Sequence, residues 1–202
     1  MKRRSISLFV ALFGVLAILG ASPVAMAKDK DEGVELKATL SGFEEVNAPA
    51  GAGAVSTGAS GSFEGEISRD GTSITYTLSY TGLEGDVRQA HIHLGQRGVT
   101  GGIVVFLCQT TVNPDPTTHA PTCPQSGTVS GTLTKANVTN RADAQGIEST
   151  ATQGSTDAEF AEFVRAIRAG VTYANVHSAN AGGVATKFNS GEIRGQIKAD
   201  DD

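Results

Sequence analysis

No catalytic signature runs through this 202-residue chain. It has no G-x-S-x-G nucleophile elbow, no lysine-bearing phosphate loop and no H-E-x-x-H zinc helix. The segment "GQRGVTGG" is rich in glycine, but it lacks the lysine of a phosphate cradle and reads as a turn before a strand. Basic charge is also scarce. Lysine and arginine number 16 against 21 acids, a formal charge of −5. That balance excludes nucleic acid and anionic membrane surfaces as partners, because both are bound through basic side chains. Cysteine is limited to Cys108 and Cys123, and histidine to His91, His93, His119 and His177.

The long apolar run is confined to the start. Lys2, Arg3 and Arg4 precede the stretch from Ile6 to Gly20, and Ala25-Met26-Ala27 follows it. A basic start, an apolar middle and an A-x-A end describe a signal peptide, residues 1–27, cut after Ala27. The run falls short of the ~20 apolar residues that span a bilayer. An exported protein that leaves the membrane after cleavage is therefore expected. Cleavage removes three positive charges and no negative one, taking the formal charge from −5 to −8. The remaining length suits one domain, flanked by a charged tail at 28–35 and an acidic tail at 198–202.

Export also decides how the two cysteines are read. An oxidising compartment favours a Cys108–Cys123 disulfide, closing the polar, proline-bearing loop "QTTVNPDPTTHAPT". The alternative, two thiolate metal ligands, matches no zinc spacing. Along the rest of the chain the dominant period is two. The segments 34–42, 59–68, 72–83, 87–94, 102–108, 126–134, 171–178 and 191–199 alternate or favour β-formers, with turn residues between them. Asp70-Gly71 marks a hairpin. An all-β fold is expected, an antiparallel β-sandwich of Greek-key type. One stretch departs from it: Phe160, Phe163, Val164 and Ile167 follow helical spacing. Thr156 and Glu159 fit a capping box and Gly170 fits the stop, which predicts a single amphipathic helix over 156–169. The stretch 139–154 before it reads as a polar loop.

Three segments together resemble a known family. "LSGFEEVNAP", "TYTLSYTGLEGDVRQAHIHLG" and "YANVHSAN…GGVATKFNSGEIRGQI" are similar, in order and spacing, to the CHRD (chordin) domain over residues 36–197. The family occurs in chordin, where it is linked to extracellular ligand binding, and as a stand-alone secreted bacterial domain, the form this chain resembles. The resemblance implies a non-enzymatic extracellular binding or structural module, with an extracellular protein as a candidate partner. The chain departs from the pattern at "GGVATKFNSGEIRGQ", where a compact "FPGGEIRGQ" is expected.

A second reading starts from the histidines. On a strand, His91 and His93 share a face with Gln89, while Ala90, Ile92 and Leu94 take the opposite, apolar face. Their α-carbons then lie ~6.5–7 Å apart, close enough for both rings to reach one metal. Tyr173, Asn175 and His177 share a face in the same way, which makes His177 the candidate third ligand. The ion would be copper or zinc, and the H-x-H strand resembles the copper ligands of copper/zinc superoxide dismutase at fold level. Against this stands a structural role, in which the rings hydrogen-bond neighbouring backbone. His119, in the loop between the cysteines, is expected to take no part. Glu192 and Arg194 share a strand face, as an exposed local ion pair or as a contact to the histidine strand.

Overall fold

In the computed structural model, residues 33–46, 53–150, 152–179, 188 and 191–200 are described. The expected signal peptide and the departure at 182–187 lie outside them. Nine strands form one antiparallel sheet that curls until its ends nearly meet. They are β1 (Val34–Ser41), β2 (Ser60–Ile67), β3 (Ile74–Thr81), β4 (Val87–Leu94), β5 (Gly102–Cys108), β6 (Gly127–Leu133), β7 (Thr172–Ser178), β8 (Ile193–Gln196) and β9 (Lys198–Asp200). In space the order is β5-β4-β7-β8-β1-β2-β3-β6, with β9 beside β1. The non-sequential neighbours β3–β6 and β4–β7 provide the Greek-key character. At the seam between the outer strands, the Tyr76 hydroxyl donates to the carbonyl of Leu107 at 2.6 Å.

The strand pattern follows directly from the alternation. Leu36, Ala38 and Leu40 of β1 and Ile74, Tyr76, Leu78 and Tyr80 of β3 point into the core, with lysine, threonine and serine outward. Gly131 lies opposite Tyr76 in the ladder, and a Cβ there would sit 2.8 Å from the phenol oxygen, so the ring occupies that place. Gly71, at φ +70°, turns β2 into β3, and Ser68 and Thr72 hydroxyls bond the Asp70 carboxylate.

The only α-helix among the described residues is α1 (Asp157–Arg168). It buries Phe160, Phe163, Val164 and Ile167 against the sheet and stops at Gly170, φ +67°. Its cap is half of the expected box. Thr156 Oγ1 accepts from the Glu159 amide, but the Glu159 carboxylate turns away to accept from the Glu148 amide at 2.8 Å. Two further expectations change. The stretch before the helix is not simply a polar loop: it winds a 3-10 turn at Asn140–Gln145 and buries Ala142 and Ile147. Part of the expected acidic tail is a strand: Lys198–Asp200 pairs with Glu35–Lys37, with Lys198 and Asp200 facing solvent and Ala199 packed against the core.

Cys108 and Cys123 are joined in a disulfide, their α-carbons 4.9 Å apart. The loop they close is organised by buried Asp115, whose carboxylate accepts from the Thr117, His119 and Ala120 amides and the Thr117 hydroxyl. No helix of the described residues is long and apolar enough to cross a membrane.

Candidate metal centre

The site is set by the register of three neighbouring strands. In the β4–β7 ladder Gln89 faces His177, His91 faces Asn175 and His93 faces Tyr173. In the β7–β8 ladder Asn175 faces Arg194 and Tyr173 faces Gln196. Alternation along each strand therefore gathers polar side chains on one side of the sheet, while Ala90, Ile92, Ala174, Val176 and Ile193 fill the core on the other.

The polar side is not open to solvent. His91 is fully buried, His93 is 6% exposed and Asn175 is fully buried, while His177, towards the end of β7, is half-buried with its Nε2 shielded. The cover is loop rather than sheet. The Arg194 guanidinium donates to the carbonyls of Gln96 and Val99, at 2.8 and 2.9 Å, and so closes that loop over the strands. The Gln145 amide donates to the carbonyl of Leu94 from another side.

Within this enclosure the three expected histidines meet. Their nitrogens, one from each ring, lie within 4.8 Å of one another. The ring centroids are 5.3 Å apart for His91 and His93, 5.0 Å for His91 and His177, and 5.9 Å for His93 and His177. His119 lies outside the cluster, exposed in the disulfide loop.

Hydrogen bonding does not account for this convergence. His93 Nδ1 lies 3.0 Å from the Gly101 carbonyl, which can only accept, so the proton sits on Nδ1 and Nε2 carries a free lone pair. That Nε2 has no partner, and neither do His177 Nε2 and both nitrogens of His91. Burial holds all three rings neutral. It pushes His93 down to about 4 and His177 to about 3, and His91 well below the usual histidine range. Neighbouring imidazoles lower His91 and His177 further, and Arg194 lowers His93. Three neutral imidazoles with inward lone pairs form a donor set for a transition metal. At metal–nitrogen distances near 2.0 Å the nitrogens would stand about 3.5 Å apart, so the widest pair would close by up to about 1.3 Å from the present limit of 4.8 Å.

The rings are also held from behind. His93 stacks on Tyr173, centroids 4.7 Å apart and planes 4° from parallel, and the Arg194 guanidinium lies 3.3 Å from the far side of the phenol. The Tyr173 hydroxyl accepts from the Gly101 amide, so one residue, Gly101, fixes both rings. Phe106 packs its ring against His91 at 4.3 Å.

Glu192 and Arg194 differ from the expected exposed pair. They are 0% and 1% exposed, and each finds partners elsewhere. Glu192 accepts from the Thr57 hydroxyl, the Glu84 amide and the Ser178 hydroxyl, tying two loops to the end of β7. Glu45 escapes any reading by spacing. It is buried, accepts from Asn175 Nδ2 and the Val46 amide, and desolvation raises its pKa. Two open grooves over the outer faces of β1, β2 and β3 contain none of the three histidines.

Comparison with curated proteins finds no match. The family model of the CHRD domain, a domain of extracellular-type proteins, matches residues 36–197, a span that holds every strand of the polar face and all three clustered histidines. The chain belongs to the CHRD domain family.

Proposed function

We propose that this chain is a secreted CHRD module that acts by binding rather than by catalysis, and that its polar face holds one metal ion through His91, His93 and His177. Family membership, the disulfide and the signal-like start support an extracellular setting. The acidic balance supports partners other than nucleic acid. The observation that carries the metal reading is the convergence of buried histidine nitrogens that have no hydrogen-bond partner. Each such group costs about 1–3 kcal/mol when it is left unpaired, a cost that coordination would remove. A dismutase-like activity fits less well, because the ring nitrogens are shielded from solvent and superoxide would need a path to the ion.

Elemental analysis of untagged protein separates the metal reading from the structural one. The metal site predicts one equivalent of bound ion, absent from His91→Phe. It also predicts that His91→Phe leaves the metal-free protein as stable as before or more so, since an unpaired polar ring gives way to an apolar one. Absence of metal, together with destabilisation of His91→Phe, would assign the histidines a structural role instead.

A further inference from the structure

We infer that the ion this site selects is monovalent copper, held by the three imidazoles alone, in preference to zinc or divalent copper. The inference rests on the metal-site reading above and specifies its ligand.

Charge is the first argument. The three donors are neutral rings, and among the described residues no carboxylate or thiolate belongs to the cluster. Glu45 is engaged by the Val46 amide and Asn175 and faces Arg194, while Glu192 is taken by Thr57, Glu84 and Ser178. Asn175 Oδ1, which is also unpaired, is a neutral oxygen and would add no charge. The charge of the ion is therefore not offset within the site. The self-energy of a buried ion grows with the square of its charge, so a dication costs about four times as much as a monocation. Two guanidinium groups add to the same side: Arg194 behind Tyr173, and Arg141, 5.6 Å from the Phe106 ring that packs on His91.

Coordination is the second. Zinc on three protein ligands completes its shell with water, and divalent copper favours a tetragonal set of four or more donors. Both His91 nitrogens and the Nε2 atoms of His93 and His177 are buried, with Phe106 and Tyr173 packed on His91 and His93 and the loops that Arg194 and Gln145 tie down beside them; His177 is the one half-buried ring. A filled d shell with no need of a fourth donor suits three converging imidazoles. Cuprous ion has that preference.

The test is competition in solution. Untagged protein is titrated with ascorbate-reduced copper against bicinchoninate, and separately with zinc and with cupric ion against chromophoric chelators. Ascorbate leaves the disulfide closed, which a thiol assay verifies. The expected result is one cuprous equivalent, bound at least roughly 100-fold more tightly than zinc or cupric ion. That equivalent should be lost in His91→Phe and His177→Phe variants whose circular dichroism is unchanged. Zinc or cupric binding of equal strength at the same histidines would overturn the choice of ion and leave the site standing. If none of the three ions binds, or binding survives both substitutions, the site itself falls and the choice of ion with it.

Discussion

At the residue scale, the decisive fact is that three histidines are neutral for want of solvent rather than through hydrogen bonding. Without metal, this has a definite pH signature. The folded-state values near 4 for His93 and near 3 for His177 lie below the ordinary 6.5, and His91 is also depressed. Between these limits the unfolded chain binds more protons than the folded one, so stability is complete above pH 6.5 and declines as pH falls towards 4. Glu45, raised by burial, acts in the opposite direction, but it is one group against three. Arg194 stays charged throughout. Urea midpoints of the metal-free protein should therefore be clearly lower at pH 5 than at pH 7.5. Equal midpoints would show that the rings are not desolvated as described. His91, His93 and His177 could be read from alternation alone, because a strand face needs only local geometry. The burial of that face could not, since it depends on loops that close from distant parts of the chain. The same limit explains Glu192 and Arg194, which share a face as the period requires but are enclosed by Thr57, Glu84, Gln96 and Val99.

At the scale of elements, β4, β7 and β8 carry one continuous polar face whose cover is tied down at a few points. Gly191, at the entry to β8, is one of them. Its φ is +129°, and a Cβ there would fall 2.3 Å from Asn175 Nδ2 and 2.5 Å from Glu45 Oε2. Gly191→Ala should thus lower stability by about 1–3 kcal/mol and disturb the Asn175–Glu45 contact. Unchanged thermal unfolding of that variant would contradict the packing described. Strand and helix positions were largely legible, because the strands alternate or are rich in β-formers and the 3.6-residue spacing of α1 is uninterrupted. What eluded the pattern were non-repeating contacts: the Glu159 carboxylate drawn to Glu148, the 3-10 turn at Asn140–Gln145, and the pairing of Lys198–Asp200 with β1. A polar sequence does not mark a segment as unpaired when a neighbouring strand offers its edge.

At the scale of the whole molecule, one core lies inside a sheet that nearly closes on itself, with the disulfide holding the loop beyond β5. The 15-residue separation of Cys108 and Cys123 gives a loop worth up to about 3 kcal/mol through the unfolded state. Replacing both by alanine should reduce unfolding free energy by that order, and the unaltered protein should show no reactive thiol when denatured without reductant. Two reactive thiols would refute the pairing. The core and the bridge supply a rigid frame, and the proposed metal site lies on the polar face of that frame. Anomalous diffraction from crystals soaked in the selected metal tests that placement most directly. One strong peak is expected about 2.0 Å from a ring nitrogen of each of His91, His93 and His177. A peak at other residues, or none at these three, would contradict it.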